Sequence, residues 1–101
     1  MVKHIILWKL KDELEGEALE NVKQGIKSGL EGLNGQIPGL VEIHVNTVGL
    51  PSSKEADLML DSAFESIEAL KGYSTNPLHV HVADTFVRPF TQHRSCFDYE
   101  I

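Results

Sequence analysis

Val2-Lys3-His4-Ile5-Ile6-Leu7-Trp8-Lys9-Leu10 is the stretch that decides the fold. It is rich in β-branched and aromatic residues and reads as a strand. Side chains alternate along a strand, so His4, Ile6, Trp8 and Leu10 share one face and Lys3, Ile5, Leu7 and Lys9 the other. Both rows contain large apolar groups. A strand of that kind is covered on both sides, and the rest of the chain has to supply the cover or leave it to a partner.

Downstream of this strand, a helix is predicted. Asp12 and Glu15 have capping-box spacing, and Leu19, Val22, Ile26, Leu30 and Leu33 form an apolar stripe. Gly25 and Gly29 weaken that helix by about 1 kcal/mol each relative to alanine and suit close packing against a sheet. Gly32, Asn34, Gly35 and Pro38 end it. Residues 39–48 read as a second strand, with Val41, Ile43 and Val45 opposite Glu42, His44 and Asn46. A turn is expected at Gly49-Leu50-Pro51-Ser52-Ser53. Residues 56–64 form a third strand, with Leu58, Leu60 and Phe64 on one side. A short helix spans 65–73. Asn76-Pro77 then starts another, because Asn favours the N-cap and Pro the first helical position. That helix is expected over 78–87, with Asp84 and Arg88 as an i,i+4 pair, and a last strand over 94–101.

The order is β-α-β-β-α-β with its second helix in two pieces, the split βαβ or ferredoxin-like α+β arrangement. Its four-stranded antiparallel sheet has helices on one face and leaves the other bare. A second copy of the chain is the simplest cover, so a homodimer is expected. With 101 residues there is room for a single domain, 1–101. The net charge of −6 argues against nucleic-acid and anionic-membrane surfaces, which need basic stripes. The acids Asp12, Glu13, Glu15, Glu17 and Glu20 fit a helix N-terminus and lack the ordered ligands of a calcium loop. No apolar run is long enough to span a membrane, and no signal peptide is recognised at the start. A single cysteine, Cys96, excludes an internal disulfide and a cysteine metal cluster. A cytoplasmic location is expected.

Several segments together carry a resemblance. They are Lys3 to Lys11, Ile37-Pro38-Gly39-Leu40, Ala56 to Ser66, Ala69-Leu70-Lys71-Gly72-Tyr73, Asn76-Pro77-Leu78-His79-Val80 and Phe97-Asp98-Tyr99-Glu100-Ile101. In this order and spacing the chain resembles the stress-response A/B barrel domain (Dabb) family, nearly end to end. The resemblance implies a homodimer whose two sheets pack face to face into an α/β barrel. Most such relatives have no assigned reaction. One, a plant polyketide cyclase, performs an intramolecular aldol condensation without a cofactor. By motif its working His and Tyr fall on His79 and Tyr73, and a pocket histidine on His4. The family's usual His-Pro-x-His reads Asn76-Pro77-Leu78-His79 here, and Leu58 stands where the cyclase has a histidine.

The residues themselves point to the same place. With Asn76 as N-cap, His79 is the third helical residue, where the helix dipole and partial burial favour a neutral imidazole. A spacing of seven puts it on one stripe with Phe86. Tyr73 is placed to hydrogen-bond His79 or a substrate carbonyl, and a His–Tyr pair suits proton transfer next to a carbonyl. Three readings of the pair stand: a helix-start histidine with a packing tyrosine, a catalytic pair, or a binding pair. His4 is either a satisfied core histidine or a polar anchor in an aromatic cavity. His79 and His81 can chelate a metal together only on a strand, and on a helix they diverge by about 200°; no metal site and no cofactor are expected. His44 and His93 are expected at the surface, and Cys96 as a packing residue.

The expected site is a mostly apolar pocket between sheet and helices, catalytic at His79 and Tyr73 and walled by His4, Ile6, Trp8 and Phe86. It suits a small apolar or aromatic ligand. Three functions remain: a cofactor-free acid–base enzyme of cyclase or lyase type, a non-catalytic stress-associated binding protein, and, by fold analogy alone, a monooxygenase-like activity.

Overall fold

The computed structural model describes residues 1–50 and 56–101. Strand β1 (Val2–Leu10) is followed by helix α1 (Gly16–Glu31), then by β2 (Leu40–Asn46) and β3 (Leu58–Phe64). Helices α2 (Ile67–Thr75) and α3 (Pro77–Val82) come next, and β4 (Thr91–Glu100) closes the chain. The strands form one sheet in the order β2-β3-β1-β4, every pair antiparallel. This is the ferredoxin-like α+β fold. The expected turn at 49–53 falls partly on 51–53, outside the described residues.

β1 runs through the middle of the sheet, and its two rows differ. Val2, His4, Ile6, Trp8 and Leu10 are buried under the helices. On β3 the row beside them, Leu58, Leu60, Ser62 and Phe64, is buried too, as are Ile43 and Val45 of β2. Helix α1 adds Ile26 and Leu30, followed by Leu33 just beyond its end, so the predicted stripe is the one that meets the sheet. The opposite sheet face has no helix among the described residues. There Leu7 is 40 % exposed, Tyr99 42 % and Phe97 67 %. Ion pairs cross the same face: Lys3 Nζ lies 2.6 Å from Asp61 and 3.5 Å from Glu42, and Lys9 lies 3.5 Å from Asp57.

Local details depart from the sequence reading at four points. No capping box forms at Asp12 and Glu15: α1 starts at Gly16, whose φ is +59°, and Glu15 makes no side-chain cap. Asp12 instead accepts from Gln92 Nε2 at 3.0 Å, tying the loop to β4. Gly25 and Gly29 admit Val82 and Phe86 rather than the sheet. A methyl group on Gly29 would lie 3.0 Å from Val82 Cγ1 and 3.1 Å from Phe86 Cδ2. The predicted helix over 78–87 is α-helical only to Val82. It widens to a π-helical turn over Ala83–Val87 and tightens to a 3₁₀ turn over Arg88–Phe90. β4 begins three residues earlier than expected, because its ladder with β1 continues past a bulge to Leu10 opposite Thr91.

Gly39 explains the Ile37-Pro38-Gly39-Leu40 segment. Its φ is +79°, and a Cβ there would sit 2.4 Å from Ala69 Cβ. Only glycine permits both the left-handed backbone and the close approach of α2. No helix among the described residues is long and apolar enough to cross a membrane.

Candidate functional site: a cavity between sheet and helices

A cavity of about 400 Å³ lies between the helix-covered sheet face and the α2–α3 segment. Its floor is His4, Ile6 and Trp8 of β1 with Leu60 of β3. Tyr73, Ser74 and His79 form one wall, and Ala83, Val87 and Arg88 the next. Thr91 and Arg94 of β4 complete the rim. A small number of polar groups in an apolar hollow is the usual make-up of a small-molecule site.

Asn76 builds the wall that holds His79. Its Oδ1 accepts the Leu78 N–H at 2.9 Å, starting α3 where the sequence places it. The polar side chain at 76 thereby serves as a helix cap. His79 then packs on Tyr73, ring centroids 4.1 Å apart and planes inclined by 38°. The pair therefore meets as tilted rings, without the hydrogen bond the sequence reading allowed. The Tyr73 hydroxyl is buried and has no hydrogen-bond partner among the described residues. Burial pushes its pKa well above the ordinary phenol value, against a smaller opposing effect of Arg94, so it remains a donor at neutral pH.

His79 Nδ1 lies 3.3 Å from the Ser74 carbonyl. A carbonyl oxygen only accepts, so Nδ1 carries the hydrogen and Nε2 carries the lone pair. Burial pulls the His79 pKa below its usual value. The Ser74 carbonyl opposes this, while the nearby Arg88 and Arg94 guanidinium groups reinforce it. The result is a neutral imidazole with one basic nitrogen, on a residue that lines the cavity.

His4 is anchored from beneath. Its carbonyl accepts from Ser62 Oγ at 2.8 Å, and its ring meets the edges of Phe64 and Tyr73 at 6.2 and 6.3 Å. His4 Nδ1 lies 2.5 Å from Asp98 Oδ1 of β4. Cys96 Sγ lies 3.7 Å from that nitrogen and 3.5 Å from that oxygen. Burial and the neighbouring Asp98 carboxylate raise the Cys96 thiol pKa, with Arg94 opposing.

This architecture is shared. Residues 2–101 match the stress responsive A/B barrel domain. The chain belongs to the stress-responsive A/B barrel family. It is 29 % identical over 100 residues to olivetolic acid cyclase of Cannabis sativa, spanning 97 % of this chain and 94 % of the cyclase. A dimeric ferredoxin-like protein of unknown function from Bacteroides fragilis superposes with a TM-score of 0.87 at 31 % identity, over 99 % of this chain and 95 % of that one. The hydroxynitrile lyase of Passiflora edulis has the same fold, with a TM-score of 0.72 at 18 % identity over 99 % and 92 % of the two chains.

Within this A/B barrel chain, His4, Ile6, Trp8, Tyr73 and His79 converge on one cavity. Phe86 lies elsewhere, packed on Gly25 and Gly29 of α1. The cause is the π-helical turn, which inserts a residue into the helical repeat. The stripe that begins at His79 continues through Ala83 to Val87, displacing Phe86 toward α1. Leu58, at the cyclase's histidine position, is fully buried beside Trp8 and supplies no polar group. His81 and His44 are exposed, and Arg88 donates to Asp84 as spaced. Cys96 is exposed rather than packed, on a strand that no helix among the described residues covers.

The sequence reading gave Cys96 only as a packing residue and did not single out its neighbours on β4, Arg94 and Asp98. Arg94, Cys96 and Asp98 alternate on β4 and pair with Trp8, Ile6 and His4 of β1. The signal was the split βαβ topology itself, which sets the last strand antiparallel to the first.

Proposed function

We propose that this chain is a homodimeric enzyme acting on small, largely apolar carbonyl compounds, with His79 as a cofactor-free general base. One observation carries the reading: His79, its Nδ1 turned to the Ser74 carbonyl, packs on Tyr73, whose hydroxyl has no partner among the described residues, and both residues line a cavity of about 400 Å³. Nε2 takes a proton from a carbon next to the substrate carbonyl. The electron pair moves onto the carbonyl oxygen, and the Tyr73 hydroxyl donates a hydrogen bond to the enolate. In a substrate with a second carbonyl, the enolate carbon attacks it and forms the carbon–carbon bond. The new alkoxide takes the proton back from the imidazolium, so nothing is consumed. The likeness to olivetolic acid cyclase supports this class of reaction. The dimeric neighbour and the exposed apolar row on the open sheet face support the homodimer.

The base function is tested without knowing the natural substrate. Acetophenone in D₂O exchanges its methyl protons slowly, and ¹H NMR follows the loss. The parent protein should accelerate exchange by about 100-fold, the low end of general-base catalysis. His79→Gln should return it to the buffer rate, and Tyr73→Phe should fall between. Saturable binding of acetophenone with no exchange would leave a binding protein and overturn the catalytic reading.

A further inference from the structure

His4, Cys96 and Asp98 form a donor set that the base chemistry of His79 does not use. Antiparallel pairing puts His4 opposite Asp98 and Ile6 opposite Cys96, so all three side chains share the helix-side face of β1 and β4. One imidazole nitrogen, one thiol sulfur and one carboxylate oxygen lie within 4.8 Å of one another. His4 is buried at 6 % exposure and fixed through Ser62, whereas Cys96 and Asp98 are open to solvent, so an ion has a path in.

The separations suit a tetrahedral ion. With metal–sulfur bonds of about 2.3 Å and metal–nitrogen bonds of about 2.0 Å, such a site sets its ligand atoms about 3.5 Å apart. The sulfur–nitrogen and sulfur–oxygen distances are already 3.7 and 3.5 Å. The nitrogen–oxygen distance is 2.5 Å, a direct hydrogen-bond contact. Tetrahedral spacing around an ion requires the exposed Asp98 carboxylate to lie about 1 Å further from the imidazole. Mixed sulfur, nitrogen and oxygen donors select borderline-soft divalent metals over calcium or magnesium. Thiolate and carboxylate together balance the charge of a divalent ion.

We propose that His4, Cys96 and Asp98 bind one divalent cation of the zinc class at the rim of the cavity, with a fourth position open to solvent or to a ligand oxygen. The site couples the edge strand to the floor of the pocket, since His4 belongs to both.

The full chain, reduced and metal-free, is titrated with Co²⁺, and thiolate-to-metal charge-transfer absorption is recorded. One Co²⁺ per chain with that band, displaced by Zn²⁺, is the expected result. Cys96→Ser should abolish the band and weaken Zn²⁺ binding by about 100-fold, and Asp98→Asn by about 10-fold. Both positions are exposed on β4, and circular dichroism verifies that each variant keeps its fold. Absence of the band in the parent, or Zn²⁺ affinities unchanged in both variants, overturns the site. Neither readout depends on turnover, so the outcome is separate from that of the acetophenone experiment.

Discussion

The two faces of the sheet are made from the same strands, yet they are finished differently. On the helix side, Val2, Ile6, Trp8, Leu58 and Phe64 are buried by the chain's own helices, and the space left over is the cavity. On the open side, Ile5, Leu7, Phe97 and Tyr99 stand among the Lys3–Asp61 and Lys9–Asp57 pairs with no cover of their own. An apolar row fenced by charge pairs is the composition of an interface, with an apolar centre and a polar rim. Under the proposed function, stability and chemistry belong to the inner face, and assembly to the outer one.

Two phenylalanines make the contrast measurable. Phe64 is fully buried, with its ring 4.9 Å from Tyr73. Phe64→Ala should cost about 3–5 kcal/mol of unfolding free energy, the usual loss for a large aromatic removed from a packed core. Denaturant unfolding reads that number directly. Phe97 is 67 % exposed on the open face. Phe97→Asp should leave the fold of the single chain nearly unchanged, within about 0.5 kcal/mol. Its effect falls on assembly, where losing an aromatic anchor costs about 2 kcal/mol, a dimer about 30-fold weaker. Light scattering across a dilution series reads this shift. A parent protein that scatters as a monomer at every concentration would remove the assembly role from the outer face.

Much of this was legible in the sequence, for reasons that can be located. The double-sided apolar row of β1 announced a sheet needing cover on both sides, and Asn76-Pro77 fixed the start of α3. Those two features were enough to bring His4, Ile6, Trp8, Tyr73 and His79 to one cavity. The turn over Ala83–Val87 was not legible, since nothing in those residues signals an i,i+5 repeat, and Phe86 was misplaced as a result. The tight contact of Gly39 with Ala69 was hidden too, because sequence shows a glycine but not what approaches it. The His4–Cys96–Asp98 grouping needs strand register. Register is a tertiary property: strand order makes β1 and β4 neighbours, but only the pairing itself sets His4 opposite Asp98.

The smallest expected effect tests whether the inner face tunes its own histidine. Burial, chiefly, sets the His79 pKa below its usual value of 6.5 in the folded chain. In the unfolded chain His79 regains that ordinary value. As pH falls through about 6.5, the unfolded state therefore takes up the proton first, and folding stability drops. The contribution is fully present above the unfolded pKa and is lost on acidification, the opposite of a histidine paired with a carboxylate. Because the ring is half-buried, water screens part of the effect, and the slope is shallow. Unfolding free energy measured between pH 8 and 5 should decline less steeply in His79→Gln than in the parent. A parent whose stability rises on acidification over that range, with the rise lost in His79→Gln, would mean that His79 is held charged. The neutral base would then be untenable, and with it the division of labour that gives chemistry to the inner face.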